Sequence, residues 1–206
     1  MTRYLGVDVL DSVFDNSLLT LFYGPAGSGK TAFLTTIARN LCRVVYPCIY
    51  INTEDPLFYD NIARMWDEYS NVFFIDIRDF SDFFDFVVKH IVRLPFKALF
   101  IDSVNSTYRL VAYSENSLTK FNLILALIAR RAYETGCKVF ASAQVRAEID
   151  SDEVVVSGMG ILKYWFNTIC QLGWENNYRF IKIVKPPMDL KLYFKISNRG
   201  VELVDH

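Results

Sequence analysis

An α/β fold built on a largely parallel sheet is predicted by three features of the sequence. Apolar runs alternate with helical stretches through the first two-thirds of the chain, the order that places helices on the faces of a parallel sheet. A glycine-rich loop, Gly24 to Thr31, lies where the first such run hands over to a helix. Near the C-terminus, Tyr178 to Lys185 and Leu190 to Ser197 alternate apolar and polar residues, which predicts an antiparallel hairpin.

Taken in order, Leu18 to Tyr23 reads as a short strand and Lys30 to Arg43 as the helix after the loop. Val44 to Asn52 is β-branched and aromatic, bounded by Thr53, Asp55 and Pro56, and predicts a buried strand. A helix over Leu57 to Tyr69 and a strand over Val72 to Ile77 follow. Phe80, Phe83, Phe84, Val87, Val88 and Ile91 then recur at i, i+3, i+4, i+7, i+8, the stripe of one buried helix face. Ala98 to Ile101 is a strand closing on Asp102. Leu118 to Tyr133 is a helix apolar on most sides, so more than the sheet should bury it. Lys138 to Ala143 is a strand ending at Gln144, and Val145 to Gly160 is polar and glycine-bearing, a loop. No linker, internal repeat or low-complexity tract interrupts the 206 residues, so residues 1–206 read as a single domain.

Composition bounds the function. With 52% apolar and 22% charged residues, the chain is neither disordered nor fibrous. No apolar run approaches a membrane span, and no charged-then-apolar leader opens the sequence. A net charge of −1 excludes a general nucleic-acid magnet, so DNA binding needs a local basic face. Cys42, Cys48, Cys137 and Cys170 lack C-x-x-C spacing; four scattered thiols read as small buried hydrophobes in a reducing cytoplasm. His90 and His206 are too isolated for a metal site.

Gly24-Pro25-Ala26-Gly27-Ser28-Gly29-Lys30-Thr31 satisfies G-x-x-x-x-G-K-[ST]. Its glycines let backbone N–H groups ring phosphates, with the helix dipole adding to the attraction. Lys30 supplies a point charge to the β- and γ-phosphates of ATP, and Thr31 offers a hydroxyl to Mg²⁺. Asp102 ends an apolar strand where a Mg²⁺-directing carboxylate belongs, acting directly or through water. Glu54, just past a strand end on the same edge, can polarise an attacking water. Gln144 closes another strand, and its amide can contact the γ-phosphate or that water. For Glu54 a solvated loop acid, and for Gln144 a surface turn amide, are the plain alternatives.

In this order the pieces resemble the RecA/RadA recombinase superfamily, and within it the RadB family of short archaeal RadA paralogues. Tyr50-Ile51-Asn52-Thr53-Glu54 stands where the superfamily has a strand ending Asp-Thr-Glu. Asp102-Ser103, then Thr107-Tyr108-Arg109-Leu110, then Ala143-Gln144-Val145 continue the likeness, as does Gly158 to Leu172 after a DNA-binding loop. Lys185-Pro186-Pro187 and Phe194 to Ser197, ending in Gly200-Val201, are similar to the closing hairpin.

The resemblance implies a RecA-like ATPase core, mainly parallel, flanked by helices and closed by an antiparallel hairpin. It makes Glu54 a catalytic glutamate, Gln144 a γ-phosphate sensor, and Lys185 to Pro187 a segment approaching ATP on a neighbouring subunit. It implies ATP and Mg²⁺ as cofactors and modest binding of single-stranded DNA through Arg109, Arg146 and Lys163. A RadA-type recombinase or a second copy would be the partner, with Phe86 a second candidate contact. Only 23 residues precede Gly24, so the expectation is no N-terminal helical DNA-binding domain and no aromatic filament motif. Asn52 replaces the usual aspartate, Met159 stands in what is usually a Gly-Gly pair, and the loop Tyr113 to Thr119 is poor in basic residues. These departures point to a weakly hydrolysing accessory of homologous recombination and not to a strand-exchange protein. Glu54-Asp55 also echoes KaiC-like ATPases, so a signalling or motor ATPase without DNA is the alternative. A small-molecule kinase would need an arginine-rich lid, which the sequence lacks.

Overall fold

A computed structural model describes residues 4–54, 59–147, 154–155 and 158–204, with 146–147 and 154–155 described in backbone only. A first helix, α1 (Asp8–Asp15), was not expected from the sequence. It buries Leu10 and Phe14, and its buried Asp11 accepts from the amides of Leu5 (2.8 Å) and Gly6 (3.1 Å). Lys138 Nζ donates to the carbonyls of Phe14, Asp15 and Ser17, satisfying acceptors the helix end leaves open.

The chain continues through β1 (Leu19–Gly24), α2 (Lys30–Leu41), β2 (Cys48–Asn52), α3 (Tyr59–Arg64), β3 (Val72–Asp76), α4 (Phe80–Phe86), β4 (Ala98–Asp102), α5 (Ser106–Val111), α6 (Ser117–Thr135) and β5 (Lys138–Gln144). Then follow β6 (Arg146–Ala147), β7 (Val154–Val155), α7 (Met159–Trp165), β8 (Thr168–Glu175), β9 (Tyr178–Lys185), β10 (Lys191–Ser197) and β11 (Gly200–Val204). A nine-stranded sheet has the order β11-β10-β9-β8-β1-β5-β4-β2-β3. Neighbours from β8 through β3 pair parallel, and β8 through β11 pair antiparallel. This is the RecA-like architecture expected: parallel core, antiparallel close.

Both faces of the inner parallel strands β1, β5, β4 and β2 are buried, whereas the edge strand β3 leaves Phe73 exposed. In β4, Leu99 and Ile101 face the core beneath α4 and α6, while Ala98 and Phe100 face the core beneath α1 and α2. Continuous apolar runs follow from that two-sided burial. No helix among the described residues is long and apolar enough to cross a membrane.

Several boundaries differ from expectation. The second strand starts at Cys48 because Val44 and Val45 still hydrogen-bond back to Leu41. The helix predicted over Leu57 to Tyr69 is α3 followed by a separate 3₁₀ turn, Trp66–Tyr69; residues 57–58 lie outside the description. The phenylalanine stripe buries Phe80, Phe83, Val87 and Ile91, the last turn being a π-turn, Val87–Ile91. On α6, Phe121, Ile124 and Ile128 are buried, but Leu118, Leu123 and Tyr133 are exposed, so its far face is wetter than predicted. The loop over 145–160 carries a two-stranded ribbon, β6 with β7. Two strands, β8 and β11, were missed.

The cysteine reading needs one correction. Cys42 and Cys48 form a disulfide that ties the end of α2 to the start of β2. Their Cα atoms lie 6.2 Å apart, within bridging reach. Cys137 and Cys170 are free and buried, as expected.

Candidate nucleotide site

Parallel register brings the expected residues to one sheet edge. Gly24 ends β1 opposite Gln144 at the end of β5, and Asn52 ends β2 opposite Asp102 at the end of β4. The carboxyl ends of parallel strands are where such sheets hold ligands. Two glycines of the loop are fixed by close approach. A Cβ at Gly24 would lie 2.2 Å from the Leu172 carbonyl, and one at Gly29 (φ +104°) would meet the Phe194 ring at 3.0 Å. The phosphate loop is thus seated against β8 and β10, and α2 starts directly behind it.

Lys30 is buried, with Nζ donating to the carbonyls of Gly24 (2.9 Å) and Pro25 (2.8 Å). Burial lowers its pKa, while Glu54 and Asp102 pull it back up. Asp102 is fully enclosed and accepts from Tyr50 Oη (3.0 Å) and from Ser142 Oγ. Burial raises its pKa; hydrogen bonds from Ser142, Thr31 and Tyr50 oppose the rise. The expected aspartate and threonine are therefore in contact.

Glu54 and Gln144 also meet: Gln144 Nε2 donates to Glu54 Oε2 at 2.7 Å. Gln144 is held from behind. Asn105 grips its backbone in both directions (3.0 and 3.1 Å), and Arg109 Nη1 donates to its Oε1 at 2.9 Å. Asn52 has a use that an aspartate would not. Its Nδ2 donates to Asp76 Oδ1 (2.6 Å) and its Oδ1 accepts from the Glu54 amide (3.1 Å). A carboxylate there would face Asp76 with like charge.

A cavity of about 460 Å³ opens over the loop, within the size range of small-ligand sites. Its floor is Gly27, Lys30, Thr31, Glu54 and Gln144; Arg39 and Tyr69 form one wall and the Ile196–Gly200 turn the other. One buried polar atom of this floor, Glu54 Oε1, has no hydrogen-bond partner among the described residues, and neither has Ser28 Oγ in the loop behind it. Buried polar atoms are ordinarily paired, so the floor fits a polar ligand.

The residues expected to meet DNA lie on three separate elements, α5, β6 and α7. Lys163 is exposed on α7, Arg109 is half-buried and committed to Gln144, and the Arg146 side chain lies outside the description. Lys185 Nζ donates to the carbonyls of Lys163 and Phe166, both at 2.7 Å, capping α7. Phe86 is partly buried against the core and beside His90. Sequence reasoning missed Tyr50, Ser142 and Asn105 as supports, and the Ile196–Gly200 wall. Only the alternation of the hairpin hinted at that wall.

A mainly parallel sheet with a phosphate-loop sequence at its carboxyl edge and an antiparallel close defines a RecA-fold protein. A RadB recombinase crystal structure superposes with a TM-score of 0.72 at 22% identity, covering 100% of both chains. Proteins named "DNA repair and recombination protein RadB" are 24% identical in Methanosphaera stadtmanae (80% of this chain, 76% of that one) and 26% identical in Methanobrevibacter smithii (95% and 92%). The one from Methanococcus maripaludis strain C7 is 22% identical over 96% and 97%. No family model matches. The chain is thus similar to archaeal proteins named RadB and shares the fold of a RadB recombinase.

Proposed function

We propose that this chain is an ATP-binding, weakly ATP-hydrolysing accessory protein of DNA repair and homologous recombination. The observation that carries the reading is the convergence of Lys30, Thr31, Asp102, Glu54 and Gln144 at one sheet edge, with Lys30 and Asp102 buried.

Each residue has a task in that reading. Loop amides and Ser28 bind phosphate oxygens, and Lys30 moves from the Gly24 and Pro25 carbonyls to offset their charge. Thr31 and Asp102 would hold Mg²⁺, Asp102 through water; the ion would neutralise charge developing on the phosphates. Among the described residues no three His, Cys, Asp or Glu groups converge, so phosphate and water would complete its shell. Glu54 Oε1 orients the attacking water and takes its proton. Gln144 reports the γ-phosphate to the segment that follows it.

The names of the relatives support the recombination setting; modest single-stranded DNA affinity is part of the same reading. A RadA-type recombinase in the cytoplasm is the partner in this reading, with the Lys185 to Pro187 segment offered to a neighbouring protomer. A strand-exchange assay tests it. The chain alone should give no exchange, yet should change the rate or extent when a cognate RadA-type recombinase is present. Robust exchange alone, or no effect and no contact with the recombinase, would move the reading to a KaiC-like ATPase acting through protein partners.

A further inference from the structure

A second cavity, of about 360 Å³, lies behind the nucleotide cavity. Glu54 and Gln144 line both and so form the wall between them. The rest of the second lining is Thr53, Arg78, Ser106, Thr107, Arg109 and Leu110. Two guanidinium groups and three hydroxyls therefore surround a space large enough for a small ion and its water.

The bonding around this space is incomplete. Thr107 is buried to 1% exposure, and its Oγ1 has no hydrogen-bond partner among the described residues. Arg109 uses Nη1 on Gln144, but its buried Nε has no partner there either. Arg78 gives Nη1 to the Glu54 carbonyl and sits 3.6 Å from Asp76, with half its side chain exposed. Unpaired buried donors are costly unless something accepts from them. An acceptor-only ligand with negative charge answers both arginines and the hydroxyl together.

We propose that this second cavity is a binding site for a phosphate oxyanion, held by Arg78, Arg109 and Thr107. The ligand is either free inorganic phosphate or a phosphodiester group of a larger molecule, since both present the same acceptor oxygens. The Glu54 carboxylate in the wall opposes it, so removing that carboxylate strengthens occupancy. Because Arg109 also holds Gln144, an anion that draws Arg109 away loosens the Gln144 side chain. The two cavities are thereby coupled through one hydrogen bond.

The site does not depend on the ATP reading, and the experiment keeps the two apart. Inorganic phosphate also suits the phosphate loop, so titration calorimetry with phosphate uses the full chain carrying Lys30→Ala. Arg78 and Arg109 do not line the nucleotide cavity; Arg109→Gln also frees Gln144, so Arg78→Gln is the variant that reports on the second cavity most directly. On the Lys30→Ala background we expect phosphate binding to persist, to weaken about tenfold with Arg78→Gln or Arg109→Gln, and to tighten with Glu54→Gln. Arg78→Gln is the safer variant, being half exposed; Arg78→Lys should restore part of the affinity. Addition of a short single-stranded oligonucleotide then separates the sources: displacement of phosphate assigns a phosphodiester, and unchanged phosphate affinity assigns the free ion. No phosphate binding in Lys30→Ala, or binding indifferent to both arginine substitutions, would overturn the site. Loss of ATP affinity in Lys30→Ala with phosphate binding also absent would leave the nucleotide reading standing and remove only this one.

Discussion

The nucleotide floor and the rim near α7 hold charge by opposite means. On the floor, Lys30 and Asp102 are buried, fixed by strand ends and by hydroxyls from neighbouring strands. On the rim, Lys163 and Tyr164 stand exposed on a seven-residue helix. Buried charge interacts strongly because little solvent screens it, and exposed charge interacts weakly. A change on the floor should therefore cost orders of magnitude, and one on the rim only a small factor.

Glu54→Gln gives the largest effect expected. Nucleotide affinity should hold, while single-turnover hydrolysis should fall by about 10²–10⁴-fold. Equal rates for the two proteins would return Glu54 to a solvated loop acid. Next comes Lys30→Ala, expected to weaken ATP binding by about 100-fold, or roughly 2.7 kcal/mol. The ligand-free protein should keep its thermal midpoint within a few degrees, because burial already disfavours the lysine's charge. ATP binding at parental strength would break the floor half of the comparison.

The rim should respond mildly. Lys163→Glu is expected to weaken single-stranded DNA binding by a few-fold and to reduce its salt slope by about one. A loss as large as that of Lys30→Ala for nucleotide would erase the distinction between the two regions. The smallest effect concerns neither region directly. Cys42→Ser opens the disulfide and should cost about 2 kcal/mol for so short a loop, or roughly 5 °C in thermal midpoint. ATP affinity should be unchanged; its loss would mean that the α2–β2 tie sets the loop.

The floor was legible because each element there obeys a local rule. A glycine-rich loop opened a helix, and Glu54, Asp102 and Gln144 each followed an apolar run. The supports were not legible. Tyr50 reaches Asp102, and Ser142 does too, only because β2, β4 and β5 lie side by side in a particular register. Asn105 and Arg109 find Gln144 across 39 and 35 residues of chain, a pairing that no local pattern shows. Likewise Cys42 and Cys48 came together because the end of α2 turns back toward β2. The strand β8 escaped notice since Gly173 and the polar Gln171 interrupt its apolar run, though β1 and β9 bury it on both sides.

The claim that joins floor and rim is that nucleotide at the first governs DNA at the second, through Gln144. Fluorescence anisotropy of a labelled single-stranded oligonucleotide tests it directly, with ATP and Mg²⁺, with ADP and Mg²⁺, and with no nucleotide. The account predicts measurably different DNA affinities among the three, with a difference between ATP and ADP that Gln144→Ala abolishes. Identical affinities in all three conditions, or no DNA binding in any, would contradict it.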